Sequence, residues 1–180
     1  MQISLYPSSL PKELVGSVQS LLDRNFGVQS EEDKITHYAE PVEWVICFED
    51  GQPVGLVKLF LRDCELRDQQ ILIGGIGGVC VDEEFRGQGI AKLMMEKAKE
   101  ELGKMKCGVA MLCTDLSDKK FVELYSNFGF IRLEKDHLYQ DKNGHTRSCS
   151  DAMVAPINSA EKIDLIKNSP EPINIGQGEF

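Results

Sequence analysis

Four glycines fall within five residues of an otherwise apolar run, Gly74-Gly75-Ile76-Gly77-Gly78-Val79-Cys80-Val81. That run leads through Asp82-Glu83-Glu84-Phe85 into Arg86-Gly87-Gln88-Gly89-Ile90-Ala91-Lys92. Glycine weakens a strand through backbone entropy and through the packing its missing side chain forgoes. A strand that keeps four of them is expected at a bulge, or where another backbone or a ligand comes close. The Arg-Gly-Gln-Gly turn then opens directly into the clearest helical stripe of the chain: Ile90, Leu93, Met94, Ala98, Leu102 and Met105, within Arg86 to Met105. The first amides of such a helix have no partner inside it and carry partial positive charge, which suits phosphate.

Charge points the same way. Arg86 to Met95 holds two bases and no acid, whereas a helix start ordinarily favours Asp or Glu. From Arg86 to Lys106 the balance is +3, in a chain whose 20 Lys plus Arg and 29 Asp plus Glu leave −9 overall. An external anion accounts for the inversion; a surface turn with a solvated basic face is the alternative. Other nucleotide motifs fail on spacing. The third glycine of GxGxxG would fall on Cys80 or on Lys92, and no GxxxxGK[ST] is present. The acidic remainder disfavours nucleic acid and anionic membrane as partners. The longest run free of charged or strongly polar residues, Ile71 to Val81, is far shorter than the roughly 20 residues of a membrane helix. The start MQISLYPSSLPKE has no basic, apolar and small-residue leader pattern, so a cytoplasmic location is expected.

Cys47, Cys64, Cys80, Cys107, Cys113 and Cys149 form no CxxC pair, and His37, His137 and His145 stand away from them at no zinc-ligand spacing. Free thiols and no metal centre are expected. Apolar periodicity predicts a short strand over Gln2 to Tyr6, a helix over Glu13 to Phe26, and strands Trp44 to Phe48 and Val54 to Leu61 joined as a hairpin at Asp50-Gly51. After a polar turn, Asp63 to Asp68, come a fourth strand (Gln70 to Val81), the long helix and a fifth strand (Cys107 to Thr114). A helix over Ser117 to Phe128 carries Phe121, Leu124, Tyr125 and Phe128. A final hairpin of Phe130 to Gln140 with Ser148 to Ile157 is expected around Lys142-Asn143-Gly144. This order describes one α+β (α/β) domain on a mixed sheet, because a helical crossover between the fourth and fifth strands requires a parallel pair. The domain is expected to span residues 1–157, and residues 158–180, with a helix over Ala160 to Lys167, to form a C-terminal extension appended to the core.

Arg86-Gly87-Gln88-Gly89-Ile90-Ala91 after a strand resembles the [QR]xxGx[GA] acyl-CoA motif of the GNAT N-acetyltransferase superfamily. Phe121-Val122-Glu123-Leu124-Tyr125-Ser126-Asn127-Phe128-Gly129-Phe130 resembles its Y-x-x-x-G-F signature. The two stand in the right order on the expected strand–helix–strand–helix–strand frame. The resemblance implies the GNAT fold, a central mixed sheet of six to seven strands flanked by helices, with the fourth and fifth strands splayed. It implies acetyl-CoA, or another acyl-CoA, as co-substrate. Arg86 and the amides of Gly87, Gln88, Gly89, Ile90, Ala91 and Lys92 would cradle the pyrophosphate, and the main chain of Val79, Cys80 and Val81 would pair with the pantetheine arm. An Asn often found seven residues before the signature tyrosine is here Asp118. The strand-four carboxylate that some members use as base falls on Gly75.

The reaction needs an amine to attack a thioester, an oxyanion to be stabilised and a thiolate to leave. A strand amide near Val79 suits the oxyanion. Tyr125, with a reference pKa of about 10 against about 8.5 for a thiol, suits the general acid, unless it is one more member of the apolar stripe. The base is open among Glu40, Glu43, Asp115, a water chain, or an amine that arrives neutral. An acyl-cysteine intermediate at Cys80 or Cys113 is disfavoured by their apolar strands. Acidity outside the cofactor turn suits a small cationic amine as acceptor. Met153-Val154-Ala155-Pro156-Ile157 and Gly178-Glu179-Phe180 are faintly similar to the C-terminal region of aminoglycoside 2'-N-acetyltransferases. Protein or peptide acetylation is the alternative, and a non-catalytic acyl-CoA-binding regulator is the alternative from another class. A homodimer is left open.

Overall fold

Two tight turns set the central ribbon of the computed structural model, which describes residues 1–180. Asp50 and Gly51, at φ 47° and 76°, join β2 (Glu43–Glu49) to β3 (Gln52–Leu66) in the left-handed geometry that matches strand twist. A second pair at positive φ, Arg67 and Asp68, joins β3 to β4 (Gln69–Val81). The polar stretch Asp63 to Leu66 is therefore strand rather than turn. Cys64 and Leu66 alternate into the core while Asp63 and Glu65 face out.

β1 (Gln2–Pro7) pairs antiparallel with β2, and β5 (Val109–Cys113) parallel with β4. β9 (Ala152–Pro156) and the short β6 (Ile131–Arg132) complete a mixed seven-stranded sheet in the order β1-β2-β3-β4-β5-β9-β6. Alternation along β2 supplies both faces. Val45 and Cys47 pack under Ile90, Met94, Ala98 and Leu102 of α3 (Ile90–Lys104), while Trp44 and Ile46 meet Val18 and Leu21 of α1 (Lys12–Phe26). Burying each such side chain contributes roughly 1.5–3 kcal/mol, enough for the two faces to fix both helices. Between α1 and β2 lies α2 (Glu31–Thr36), closed at its start by a Ser30–Asp33 capping box. The seven-stranded mixed sheet with flanking helices is the α+β architecture the element order implies.

The C-terminal third departs from expectation in two ways. The final hairpin is not Phe130–Gln140 with Ser148–Ile157. Instead β7 (His137–Gln140) and β8 (Thr146–Cys149) form a separate hairpin around Asp141 to His145, and β9 returns to the main sheet beside β5. Asp141 shapes the turn of this hairpin. Its carboxylate accepts N–H bonds from Asn143 and His145, both at 2.9 Å, and closes the turn locally. Residues 158–180 are not an appendage to the core. Ile163 and Ile166 of α5 (Ala160–Asn168) and Ile173 and Ile175 of β10 (Ile173–Gln177) share one buried cluster with Ile73, Val109 and Met111 of the main sheet. β10 lies parallel to β7 as the third strand of a second sheet.

Candidate active site

β4 and β5 are paired only from Ile73–Val109 to Ile76–Leu112. β4 then continues to Val81 while β5 stops at Cys113, so the two strands part beyond Ile76. On the other side of β4 a bulge breaks the register with β3. Leu56 pairs with Cys80 but Lys58 with Gly77, so Gly78 and Val79 oppose Val57 alone, and Gly78 takes φ 58°. Val79 lines the resulting cleft, and Val81 lies opposite Gly55. The side chain of Cys80 is buried beneath α1, and burial pushes its thiol up to about 11. A group so far from thiolate at neutral pH is a poor nucleophile.

The turn after β4 is assembled by short local bonds. Asp82 accepts the N–H of Glu83 to cap a single 3-10 turn, Glu83–Phe85. Gly87 and Gly89 then adopt φ 78° and 80°, so α3 starts at Ile90 rather than at Arg86. The first helical bond runs from Leu93 N–H to the Gly89 carbonyl (3.1 Å), and no backbone carbonyl accepts from the amides of Gly87 through Lys92. No atom lies within 4 Å of the side-chain position of either glycine. An open, concave run of free N–H groups at a helix start fits a diphosphate. Arg86 braces this turn from behind: its Nε donates to the Val81 carbonyl (3.0 Å) and its Nη2 to Asn25 Oδ1 at the end of α1 (3.0 Å). Gln88 stays exposed, reaching only the Glu84 carbonyl at 3.5 Å, while Ala91 is half-buried and Lys92 points to solvent.

Tyr125 sits on α4 (Lys119–Ser126), 8% exposed, its ring edge-on to Phe130 with centroids 6.2 Å apart. It lines a cavity of about 590 Å³ together with Ile76, Gly77, Gly78 and Val79, which sets it across the strand gap from the bulge. Burial, with no hydrogen-bonding partner opposing it, pushes its phenol up to about 12, so it enters any reaction protonated. Asp118 is not aimed at a ligand; it caps α4, accepting the Lys120 N–H at 2.8 Å. Phe121, expected within the apolar stripe, is 45% exposed at the cleft mouth.

The far end of the cleft holds residues that sequence reasoning missed: Lys58, Phe60, His37, Glu179 and Phe180. The glycine run explains them in part, because each small residue has a large neighbour. Leu102 of α3 lies against Gly74, and Phe180 lies against Gly75 and Gly77, in both cases close enough to exclude a Cβ. The close approach that these glycines serve is thus made by the chain itself. Phe180 also packs on Phe60 (centroids 5.8 Å apart), and the Arg62 guanidinium lies 5.5 Å from both rings. Of the three sequence candidates for a base, Asp115 alone lines the cleft, and its carboxylate already accepts the Ser117 N–H at 2.8 Å. Glu43 faces Glu101 and Lys97 of α3, where burial and then the Glu101 charge raise its carboxyl.

Residues 14–130 match the model of the Acetyltransferase (GNAT) family. N-alpha-acetyltransferase 30 of Saccharomyces cerevisiae is 34% identical over 73 residues, 41% of this chain and 42% of that protein. N-alpha-acetyltransferase 30 of Dictyostelium discoideum is 29% identical over 86 residues, 48% of this chain and 44% of that protein. The chain thus spans under half the length of these curated relatives. Among solved structures, the Escherichia coli GNAT family N-acetyltransferase YhbS in complex with CoA superposes with a TM-score of 0.63 at 20% identity, covering 97% of this chain and 88% of that one. The NatC complex bound to Gag peptide and CoA gives 0.59 at 22%, covering 87% and 99%. These two establish a shared fold. Because the family match runs from α1 through the Gly129-Phe130 pair after α4, across the parted strands, the glycine turn and the tyrosine helix alike, the chain belongs to the GNAT acetyltransferase family.

Proposed function

We propose that the protein is an N-acetyltransferase that uses acetyl-CoA and acts on a free α-amino group at a peptide N-terminus. One arrangement carries the donor half: free helix-start amides follow β4 in the chain, the edge of β4 towards β5 is unpaired beyond Ile76, and a tyrosine hydroxyl with no protein partner shares the cleft at that gap with Val79. Acetyl-CoA, when bound, supplies an activated thioester. The amides of Gly87 to Lys92 bind its diphosphate, and the main chain of Val79 to Val81 takes the pantetheine amides as an added strand. An amide at the bulge near Val79 donates to the oxyanion. Tyr125 holds its proton at Oη and passes it to the departing thiolate.

The acceptor follows from the missing base. β4 carries no carboxylate, and Asp115 is engaged in its own turn. Roughly a tenth of an α-amino group, with a pKa near 7.7–8.0, is already neutral at pH 7, against about one alkylamine in 2,500. A β4 that offers no carboxylate to take the amine proton therefore favours α-amines. The similarity to N-alpha-acetyltransferases supports the same choice.

A second reading, a small cationic amine such as an aminoglycoside or polyamine, is favoured by the segment ending at Phe180, which walls the acceptor mouth, and by Asp23, Asp33, Asp115 and Glu179 around it. Thiol release from acetyl-CoA with peptides, polyamines and aminoglycosides side by side tests the assignment. Turnover confined to peptides supports the first reading, and turnover confined to small amines replaces it with the second. Acetyl-CoA binding without amine-dependent thiol release removes both and leaves a non-catalytic acyl-CoA-binding module.

A further inference from the structure

We propose that Cys113, His137, Cys149 and Glu179 form a tetrahedral zinc site that fastens the C-terminal segment to the end of the main sheet. One ligand atom from each lies within 4.8 Å of every other. The four come from four places: the end of β5, the start of β7, the end of β8 and the segment after β10. Pairing brings them together. His137 lies directly opposite Cys149 in the β7–β8 ladder, and the Glu179 carboxylate, two residues past the end of β10, reaches to 3.6 Å from His137 Nε2. Their separations in the chain match no local zinc motif, so only the tertiary fold exposes the grouping.

Two of the six separations match the edges of a metal-centred tetrahedron. His137 Nε2 is 3.6 Å from Cys113 Sγ and 3.6 Å from Glu179 Oε1. An N–H···O bond needs about 2.7–3.2 Å. A tetrahedron with arms of about 2.0 Å to nitrogen or oxygen and about 2.3 Å to sulfur has edges of roughly 3.3–3.7 Å. The other Glu179 oxygen is 3.7 Å from His37 Nε2, again too long.

A carboxylate side chain nine-tenths buried thus has no nitrogen donor nearer than 3.6 Å. His137 is wholly buried, and its Nδ1 has no partner either. Buried groups with only such long contacts are costly, and one divalent cation serves all four residues at once: charge for the carboxylate, a ligand bond for Nε2, and a counter-charge for two thiolates. Two sulfurs, one imidazole and one carboxylate in a closed four-coordinate set select Zn²⁺ in a structural role. Binding converts both thiols to thiolates and releases their two protons to solvent. The ion would lock in place the segment whose Phe180 walls the cleft, whatever the acceptor proves to be.

The test uses the full chain, fully reduced and stripped of metal, titrated with Co²⁺ alone and then with Zn²⁺. The expected result is one Co²⁺ per chain with the visible bands of a tetrahedral site and a near-ultraviolet thiolate charge-transfer band, both bleached by one equivalent of Zn²⁺. Cys149→Ser and Glu179→Gln should each weaken Zn²⁺ binding by about 100-fold or more, while His145→Ala on the exposed hairpin leaves it unchanged. The wild-type titration decides the matter even if a variant fails to fold. Co²⁺ that stays octahedral without a charge-transfer band overturns the proposal, and so does binding that persists unaltered in the folded Cys149 and Glu179 variants.

Discussion

The Phe180 ring occupies the space that a side chain on Gly75 would need, so the last residue of the chain and the middle of β4 are sterically matched. Gly75→Ala should therefore displace the ring or strain the strand, lowering stability by about 1–3 kcal/mol. Phe180→Ala opens the same space from the other side. Urea denaturation of both single variants and the double variant should show that Gly75→Ala costs little once the ring is gone, a coupling of about 1 kcal/mol or more. Strictly additive losses would mean the two residues do not meet in solution.

Gly89 stands at the start of α3 with φ 80° and nothing near its side-chain position. Gly89→Val strains the backbone by about 1–2 kcal/mol and lays a branched side chain over the amides of Ile90 and Ala91. Calorimetric titration with acetyl-CoA should show affinity falling by more than about tenfold, a loss of roughly 1.4 kcal/mol, in a chain whose circular dichroism is unchanged. Gly16→Ala, in the middle of α1 and also unobstructed, serves as the control: it should raise stability by about 0.5–1 kcal/mol with acetyl-CoA affinity unaltered.

How far the sequence could be read depended on the range of the interactions. The glycine turn, the long helix and the Asp50-Gly51 hairpin are local chemistry, and they stand within a few residues of where their composition puts them. Tyr125 could be singled out because its spacing to Gly129-Phe130 is local too. The roles of Glu179, Phe180, Cys113 and His137 were invisible, since they depend on β10 lying beside β7 and on the segment beyond it crossing β4, contacts between residues 24 or more apart in the chain. Four glycines in one strand signalled a close neighbour without saying that Leu102 and Phe180 are that neighbour. Polarity misled at Asp63 to Leu66, where an outward-facing strand face looks like a loop.

Acid should loosen the second sheet first. Asp141 is buried, which raises its carboxyl pKa, but N–H donors from His145 and Asn143 and the Arg147 guanidinium outweigh burial and bring it to about 2. A carboxyl held below its unfolded value of about 3.9 stabilises fully above that pH and progressively less as pH falls towards 2. Thermal melts across that window should show Tm declining for the wild type. Asp141→Asn should melt lower at neutral pH and lose less on acidification. Parallel declines in the two proteins would place the acid sensitivity elsewhere.

Tyr125→Phe separates the two roles open to this side chain. Its ring packs on Phe130, which phenylalanine preserves, and its hydroxyl has no protein partner to lose, so Tm should scarcely change. If the hydroxyl only completes the core, turnover should be unaffected as well. As the general acid for a leaving thiolate it should be worth about 10²–10⁴ in rate, seen in kcat with acetyl-CoA affinity within about twofold of wild type. The pH profile gives a second readout. With the phenol pushed up to about 12, the wild type should show no loss of activity from tyrosine ionisation below about pH 10, and its rise with pH should follow deprotonation of the acceptor amine. A wild-type kcat in the Phe variant would return Tyr125 to the apolar stripe of α4 and leave the thiolate to be protonated by solvent.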